Sequence, residues 1–374
     1  MKTNINIFTK NFKVFLVILW VACFNSVSFA QNVKLQILKG PYLQNVTQNS
    51  IVVMWETNIE TSGKVNYGLD KNYGLTATAE GNKKIHEIKL TNLKVETLYH
   101  YQIITGDITA EDNTFKTAPN FDTPFKFSVW GDNRTFFFEH AKVIRRMRKY
   151  NPDIAINVGD VVTNGEVYEQ WGLEYFTPAK ELFKSVASFI AIGNHEKNSH
   201  WFYDFVSQPN NEAWFYFIYG NAMFIILDSN QSYMPGSQQL LWFRKTLKSD
   251  DYKKTVWHFV VMHHPLYSEG WDSPGYAGEQ MAQLTLKPLF EKYKIDIFFA
   301  GHTHDYERGF LNNVYYIISG GGGAGLDSFQ QDFPFVTVYK AEHQFCLVDI
   351  NKNKLSFKSI NVDGQVIDSF EIAK

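Results

Sequence analysis

Residues 125–134 read Phe-Lys-Phe-Ser-Val-Trp-Gly-Asp-Asn-Arg: a short apolar run that stops at a glycine and then offers Asp132 and Arg134. The pattern recurs down the chain. The run 154–158 ends on Gly159-Asp160, the run 189–192 on Gly193-Asn194-His195-Glu196, the run 256–262 on His263-His264-Pro265, and the run 295–300 on Gly301-His302-Thr303-His304. Further apolar runs lie at 223–227 and 314–318, and helical stretches are expected at 139–150, 178–185, 237–247 and 279–293. Apolar strands interleaved with helices predict an α/β layered domain whose strands are buried on both faces. In such sheets ligands gather at the carboxyl ends of strands, where the loops begin. A lone Gly-Asp after a strand is ordinarily a turn. Five polar clusters at successive strand ends form instead a ligand set for two metal ions.

Within that set the His302-Thr-His304 pair is the sharpest local signal. In an extended segment residues two apart project to the same side, so two imidazoles can reach adjacent ions. Asp160 is the natural bridge, because a carboxylate can give one oxygen to each of two cations roughly 3.5–4 Å apart.

Upstream, residues 31–118 read as all-β. Short β-branched or alternating runs at 50–55, 63–67, 86–90 and 99–104 are separated by Gly, Asn and Asp clusters, the signature of a sandwich. Leu93, Thr97, Tyr99 and Tyr101 look like the packed corner of a fibronectin-like module, and a linker with Pro119 and Pro124 follows. The expected organisation is therefore a signal peptide at 1–30, a fibronectin III-like domain at 31–118, and a catalytic domain at 119–374. The tail after His343 returns to hairpins, with turn signals at Asn351-Lys-Asn and Asp363-Gly364.

Lys2, Lys10 and Lys13 precede an apolar stretch and Ser28-Phe-Ala30, the layout of an export signal. Its apolar core is short for a membrane span. An uncleaved anchor, or a lipoprotein modified at Cys23, is the alternative. Removing 1–30 takes three of the 36 basic residues and none of the 38 acidic ones, leaving a net charge of −5. No nucleic-acid footprint is present, and with Cys346 the lone remaining cysteine no internal disulfide can form. The expected location is secreted or periplasmic.

The series Gly-Asp132, Gly-Asp160, Gly-Asn194-His195-Glu196, His263 and Gly-His302-Thr-His304-Asp-Tyr306-Glu-Arg308 resembles the calcineurin-like metallophosphoesterase superfamily, in its purple acid phosphatase-like branch. Gly40-Pro-Tyr-Leu-Gln44 and Val52-Val-Met-Trp55 resemble that branch's amino-terminal, fibronectin III-like domain. The resemblance implies a hydrolase acting on phosphoric esters. It places Asp132, Asp160 and His304 on a first metal, and Asp160, Asn194, His263 and His302 on a second. His195 becomes the proton donor to the leaving group. Two departures stand out. Purple enzymes carry a tyrosine three residues after the bridging aspartate, and Thr163 stands there, so no purple absorption is expected and iron, zinc or manganese all suit the N and O donors. Where purple enzymes have glycine and many relatives histidine, this chain has Arg134. Its guanidinium either clamps a phosphate oxygen or pairs with a carboxylate such as Glu196 or Glu307.

His263 and His264 cannot both face the metals if their segment is extended; the family pattern favours His263 and leaves His264 facing phosphate or supporting the site. Tyr306 is a further candidate substrate contact. The aromatic stretch 200–203 and Trp271 either pack their loops or form a lip over the substrate. Phosphate monoesters are the expected small-molecule substrates. The alternatives are a phosphodiesterase or nucleotide hydrolase, and a surface protein that binds phosphate without turnover. No stable membrane span is expected once the signal is removed, and the sequence leaves the oligomeric state open.

Overall fold

Phe125–Trp130 lies inside a nine-stranded sheet, ordered Val366–Ala373, Lys354–Asn361, Gln344–Asn351, Phe125–Trp130, Ile154–Asn157, Ala187–Ile190, Ile37–Gln44, Ile51–Thr61 and Lys83–Leu90. The computed structural model describes residues 33–271, 273 and 275–374; the expected signal segment lies outside them. A seven-stranded sheet runs Phe215–Tyr219, Ala222–Ile226, Trp257–Val261, Ile297–Ala300, Val314–Ser319, Tyr306–Leu311 and Val336–Lys340. The inner faces of the two sheets meet through aromatic rings. Phe127 stands edge-on to Phe224 at 4.9 Å and touches Phe259 at 5.1 Å between centroids.

Helices close both outer faces, as the sequence pattern predicts. Phe137–Arg148 buries His140, Val143, Ile144 and Met147, the three-and-four spacing of one helical stripe. With Leu182 of Thr177–Phe183 these side chains pack on Trp130, Ala155 and Ile190. On the other side Leu240 and Phe243 of Gln238–Thr246 and Phe290 of Lys287–Tyr293 pack on Met223, Val260 and Phe298. The single helix expected at 279–293 is two, Gln280–Thr285 and Lys287–Tyr293, with Pro288 in the first turn of the second. Proline has no N–H to continue the preceding hydrogen-bond ladder.

The amino-terminal strands divide between two sheets. Gly63–Gly68, Leu75–Thr78, Leu98–Thr105, Ile108–Thr109 and Asn113–Lys116 form a sheet of their own, and the Tyr99 hydroxyl accepts from the Lys94 N–H at 2.9 Å. Ile37–Gln44, Ile51–Thr61 and Lys83–Leu90 instead prolong the large sheet, with Gln44 paired in parallel with Ser188. The expected boundary near residue 118 is therefore not a break in that sheet, and 35–374 form one compact unit. Hydroxyls stitch the seam. Tyr42 donates to the Phe205 carbonyl at 3.0 Å, Tyr101 to that of Lys184 at 2.7 Å, and Tyr168 to Glu56 at 2.9 Å. Glu56 also pairs with Lys39, whose ammonium lies over the Tyr168 ring.

Candidate metal centre

Three of the five strand-end clusters share one backbone device. Asp132, Asp160 and His302 each adopt a left-handed conformation, with φ of 53°, 55° and 72°. Such φ values are uncommon for residues other than glycine and mark sharp, over-determined turns. The glycines beside them leave room for carboxylates. A Cβ on Gly193 would stand 2.2 Å from Asp160 Oδ1, and one on Gly301 would stand 2.2 Å from Asp132 Oδ2. The Gly-X signature thus reports backbone built tightly around the donors. The run Gly320–Gly323 packs against the first turn, with the Gly322 N–H donating to the Gly131 carbonyl at 2.9 Å.

Glu196 organises the turns around Asp160. Fully buried, it accepts from the N–H groups of Asp160 (2.9 Å) and Gly193 (2.6 Å) on one oxygen and of Val161 (2.8 Å) on the other. The His195 N–H donates to Asp160 Oδ1 at 2.9 Å, and the His302 N–H reaches both oxygens of Asp132, at 3.1 and 3.0 Å.

The side chains then converge. Asp132, Asp160 and His263 offer donor atoms all within 4.8 Å of one another, and so do His263, His264 and His302. His304 Nε2 lies 3.9 Å from Asp132 Oδ1. His263 Nδ1 donates to the Val158 carbonyl at 2.8 Å, and His304 Nδ1 to that of Gly325 at 2.7 Å. Each ring is thereby fixed with Nε2 turned inward, the arrangement that orients metal-binding imidazoles. His263 Nε2 faces Asn194 Oδ1 at 3.1 Å and Asp160 Oδ1 at 3.3 Å. Three lone-pair atoms meeting at these distances call for a cation or a proton between them. The electrostatics agree. Burial pushes His263 down, but Asp160, Asp132 and Glu196 outweigh it and hold the ring at about 9. Burial raises Asp160, yet the charge of His263 holds it low, while burial carries Asp132 well above the usual carboxylate range. His302 is driven down by burial and by the neighbouring histidines. Without a metal ion, protons do the work of neutralising this pocket, so the donor set fits a bound cation.

The remaining candidates sort themselves by position. His195 Nδ1 donates to the Thr163 carbonyl at 2.6 Å and its Nε2 stands 3.8 Å from Asp160 Oδ2, with the side chain 29% exposed at the rim. The segment after Trp257–Val261 bends, so His264 joins His263 in the cluster, against the extended-segment expectation; the Ser229 hydroxyl holds its Nδ1 at 2.7 Å. Tyr306 is not a substrate contact: it is fully buried in the seven-stranded sheet, its hydroxyl donating to Asp368 at 2.6 Å. Arg134 faces Asp160 and His304 rather than Glu196 or Glu307, whose oxygens are occupied by backbone N–H groups. Trp201 stacks on Phe205 and serves packing, whereas Trp271 and Tyr276 lie 4.9 and 5.2 Å from the His302 ring, at the cleft. Glu196, Ser229 and Asp327, which accepts from the His304 N–H at 2.7 Å, escaped the sequence reading as supports. Only the Glu directly after Asn194-His195 hinted at one of them.

Fold and site together define a layered α/β sandwich with a cluster of candidate cation ligands at the carboxyl ends of its strands. The chain belongs to the calcineurin-like phosphoesterase family, whose sequence model matches residues 100–306, and the model of the purple acid phosphatase N-terminal domain matches residues 40–117. The phosphoenolpyruvate phosphatase of Allium cepa is 27% identical over 330 residues, covering 75% of this chain and 66% of its own. The "Probable inactive purple acid phosphatase 1" of Arabidopsis thaliana is 26% identical over 285 residues, covering 62% and 45%. The chain thus spans about half to two-thirds of the length of these curated relatives. Among solved structures, the purple acid phosphatase PPD1 from yellow lupin (Lupinus luteus) seeds superposes with a TM-score of 0.79 at 22% identity, over 89% of this chain and 74% of that one. That likeness establishes the shared fold.

Proposed function

We propose that this chain is an exported phosphoesterase that hydrolyses phosphate monoesters at a two-metal centre, with His195 as the proton donor. The observation that carries the reading is that Asn194 Oδ1 and Asp160 Oδ1 both lie within 3.1–3.3 Å of His263 Nε2, beside two donor groups that share His263. Asp132, Asp160 and His304 would hold one ion, and Asp160, Asn194, His263 and His302 the other. Bound iron, zinc or manganese supplies Lewis-acid polarisation of the phosphoryl group and of the attacking water. The protein's own contribution is a set of donors fixed before substrate arrives, the arrangement that dominates phosphoryl transfer. His195 has its Nδ1 committed to Thr163, so the proton it exchanges leaves from Nε2, which stands at the rim beside Asp160. An imidazole there can protonate a departing alkoxide. Cys346 takes no part, being buried in Gln344–Asn351. The export reading rests on residues 1–30; among the described residues no helix is long and apolar enough to cross a membrane.

Elemental analysis of the purified protein, paired with assays on an aryl monophosphate and a bis-aryl phosphate, tests this reading. Bound metal and faster monoester turnover are expected. Greater activity on the diester would move the assignment to a phosphodiesterase. The position of Arg134 favours one second reading, a phosphate-binding protein without turnover; tight metal with no hydrolysis across a broad phosphoester panel would establish it.

A further inference from the structure

Arg134 sits among the donor atoms. Its Nη2 donates to His304 Nε2 over 3.3 Å, and its Nε lies 3.5 Å from Asp160 Oδ2. His304 has its Nδ1 proton on Gly325, so Nε2 carries the lone pair a metal would use, and a guanidinium N–H is already using it. Asp160 Oδ2 likewise faces a charge that is permanent under all ordinary conditions. Two of the three side chains assigned to the first cation are thus turned toward a resident cation belonging to the chain itself. The guanidinium is also incompletely satisfied: its Nε is buried and finds no hydrogen-bond acceptor among the described residues. Buried donors are nearly always paired, so this Nε is held only loosely, by the ion pair to Asp160.

Resting on the reading that the cleft binds cations, we propose that Arg134 competes with the first cation for Asp160 and His304. The resting protein then holds one ion tightly, on the side of His263, His264 and His302. It accepts a second only when the guanidinium is displaced. His264, turned into the cluster by the bend after Trp257–Val261, enriches that side in imidazole and so favours the asymmetry. The arginine that replaces the glycine or histidine of the family pattern makes occupancy of the first position conditional.

The test is metal stoichiometry rather than turnover. The wild-type protein, Arg134→Ala and Arg134→Gln are stripped, titrated with Mn²⁺ by calorimetry, desalted and assayed for manganese. The expected result is one retained ion in the wild type, with a second site weaker by at least about 100-fold, and two retained ions in both variants. Glutamine keeps most of the stem's packing and decides the matter if the alanine variant fails to fold. Two equally tight ions in the wild type, or a second site no tighter in the variants, would overturn the competition while leaving the two-metal reading intact. Absence of bound manganese from all three proteins would sink that reading and this inference with it.

Discussion

Replacing Glu196 by glutamine tests whether the centre is built by its turns. The carboxylate is fully buried and accepts three backbone N–H groups, from Asp160, Gly193 and Val161, at 2.9, 2.6 and 2.8 Å. Hydrogen bonds to a charged group contribute about 1.5–3 kcal/mol each, against about 0.5–1.5 for neutral ones, and an orphaned buried donor costs about 1–3. Glutamine keeps one acceptor oxygen, which can serve Asp160 and Gly193 without charge assistance. Its NH₂ then meets the Val161 N–H, donor against donor. Weakening two bonds and orphaning a third donor sums to on the order of 4 kcal/mol. The loss should appear as a lower urea midpoint for the chelator-treated protein measured above pH 7, because burial pushes the Glu196 carboxyl up to about 7. Because these bonds hold the left-handed turn at Asp160, affinity for Mn²⁺ should also fall, by about 10–100-fold, the usual effect of removing a group that orients metal ligands. A variant within 1 kcal/mol of wild-type stability and with unchanged metal affinity would show that the turns hold without Glu196.

Three further outcomes are expected. His195→Ala should lower kcat by roughly 10²–10⁴-fold while metal content by elemental analysis stays unchanged; a matching loss of metal would make the residue structural. Lys39→Met should destabilise the protein by about 3–5 kcal/mol in denaturation, because it leaves the buried Glu56 charge without its partner, and the double variant Lys39→Met/Glu56→Leu should recover most of that; equal loss in both would refute the pairing argument. Burial pushes His140 down to about 4, against the opposing hydrogen bond to the Glu174 carbonyl. The unfolded chain therefore binds the extra proton between about pH 6.5 and 4, and stability contributed by neutral His140 is present above 6.5 and lost as pH falls through that window. The effect is on the order of 3 kcal/mol for the metal-free protein, and a His140→Gln variant should show a shallower decline; an identical slope would refute it.

Local pattern carried the sequence reading a long way. The seven apolar runs after residue 124 all fall on strands, because a strand covered on both faces needs an unbroken apolar stretch and leaves polar residues only at its end. The donors were legible for the same reason. What pairing and burial decide was not. Nothing in Gln44 announces a parallel partner 144 residues on at Ser188, so a sheet shared across the expected boundary stayed hidden. Tyr306 looked like a site residue from its nearness to His304, but alternation along its strand turns it toward Asp368. Arg134 was legible as a departure, while its partners depend on the convergence of three separate turns.

Those turns explain why the motifs take the form they do. Asp132, Asp160 and His302 carry side chains at a φ that an L-residue adopts only at a cost, of order 1–3 kcal/mol each. A donor on a regular strand would alternate in or out with the pleat. A donor on a left-handed corner is aimed by the backbone itself, which is fastened by Glu196 and by N–H groups donating to Asp132 and Asp160. Strain at three corners is thereby exchanged for donors whose backbone is already set when a cation arrives. On this argument Asp160→Asn should fold, since asparagine tolerates the left-handed region and keeps an acceptor for the His195 N–H. It should nonetheless lose metal, because the charge facing His263 and Arg134 is gone. Retained metal with wild-type stoichiometry in that variant would mean that geometry alone, without the charge of Asp160, holds the centre.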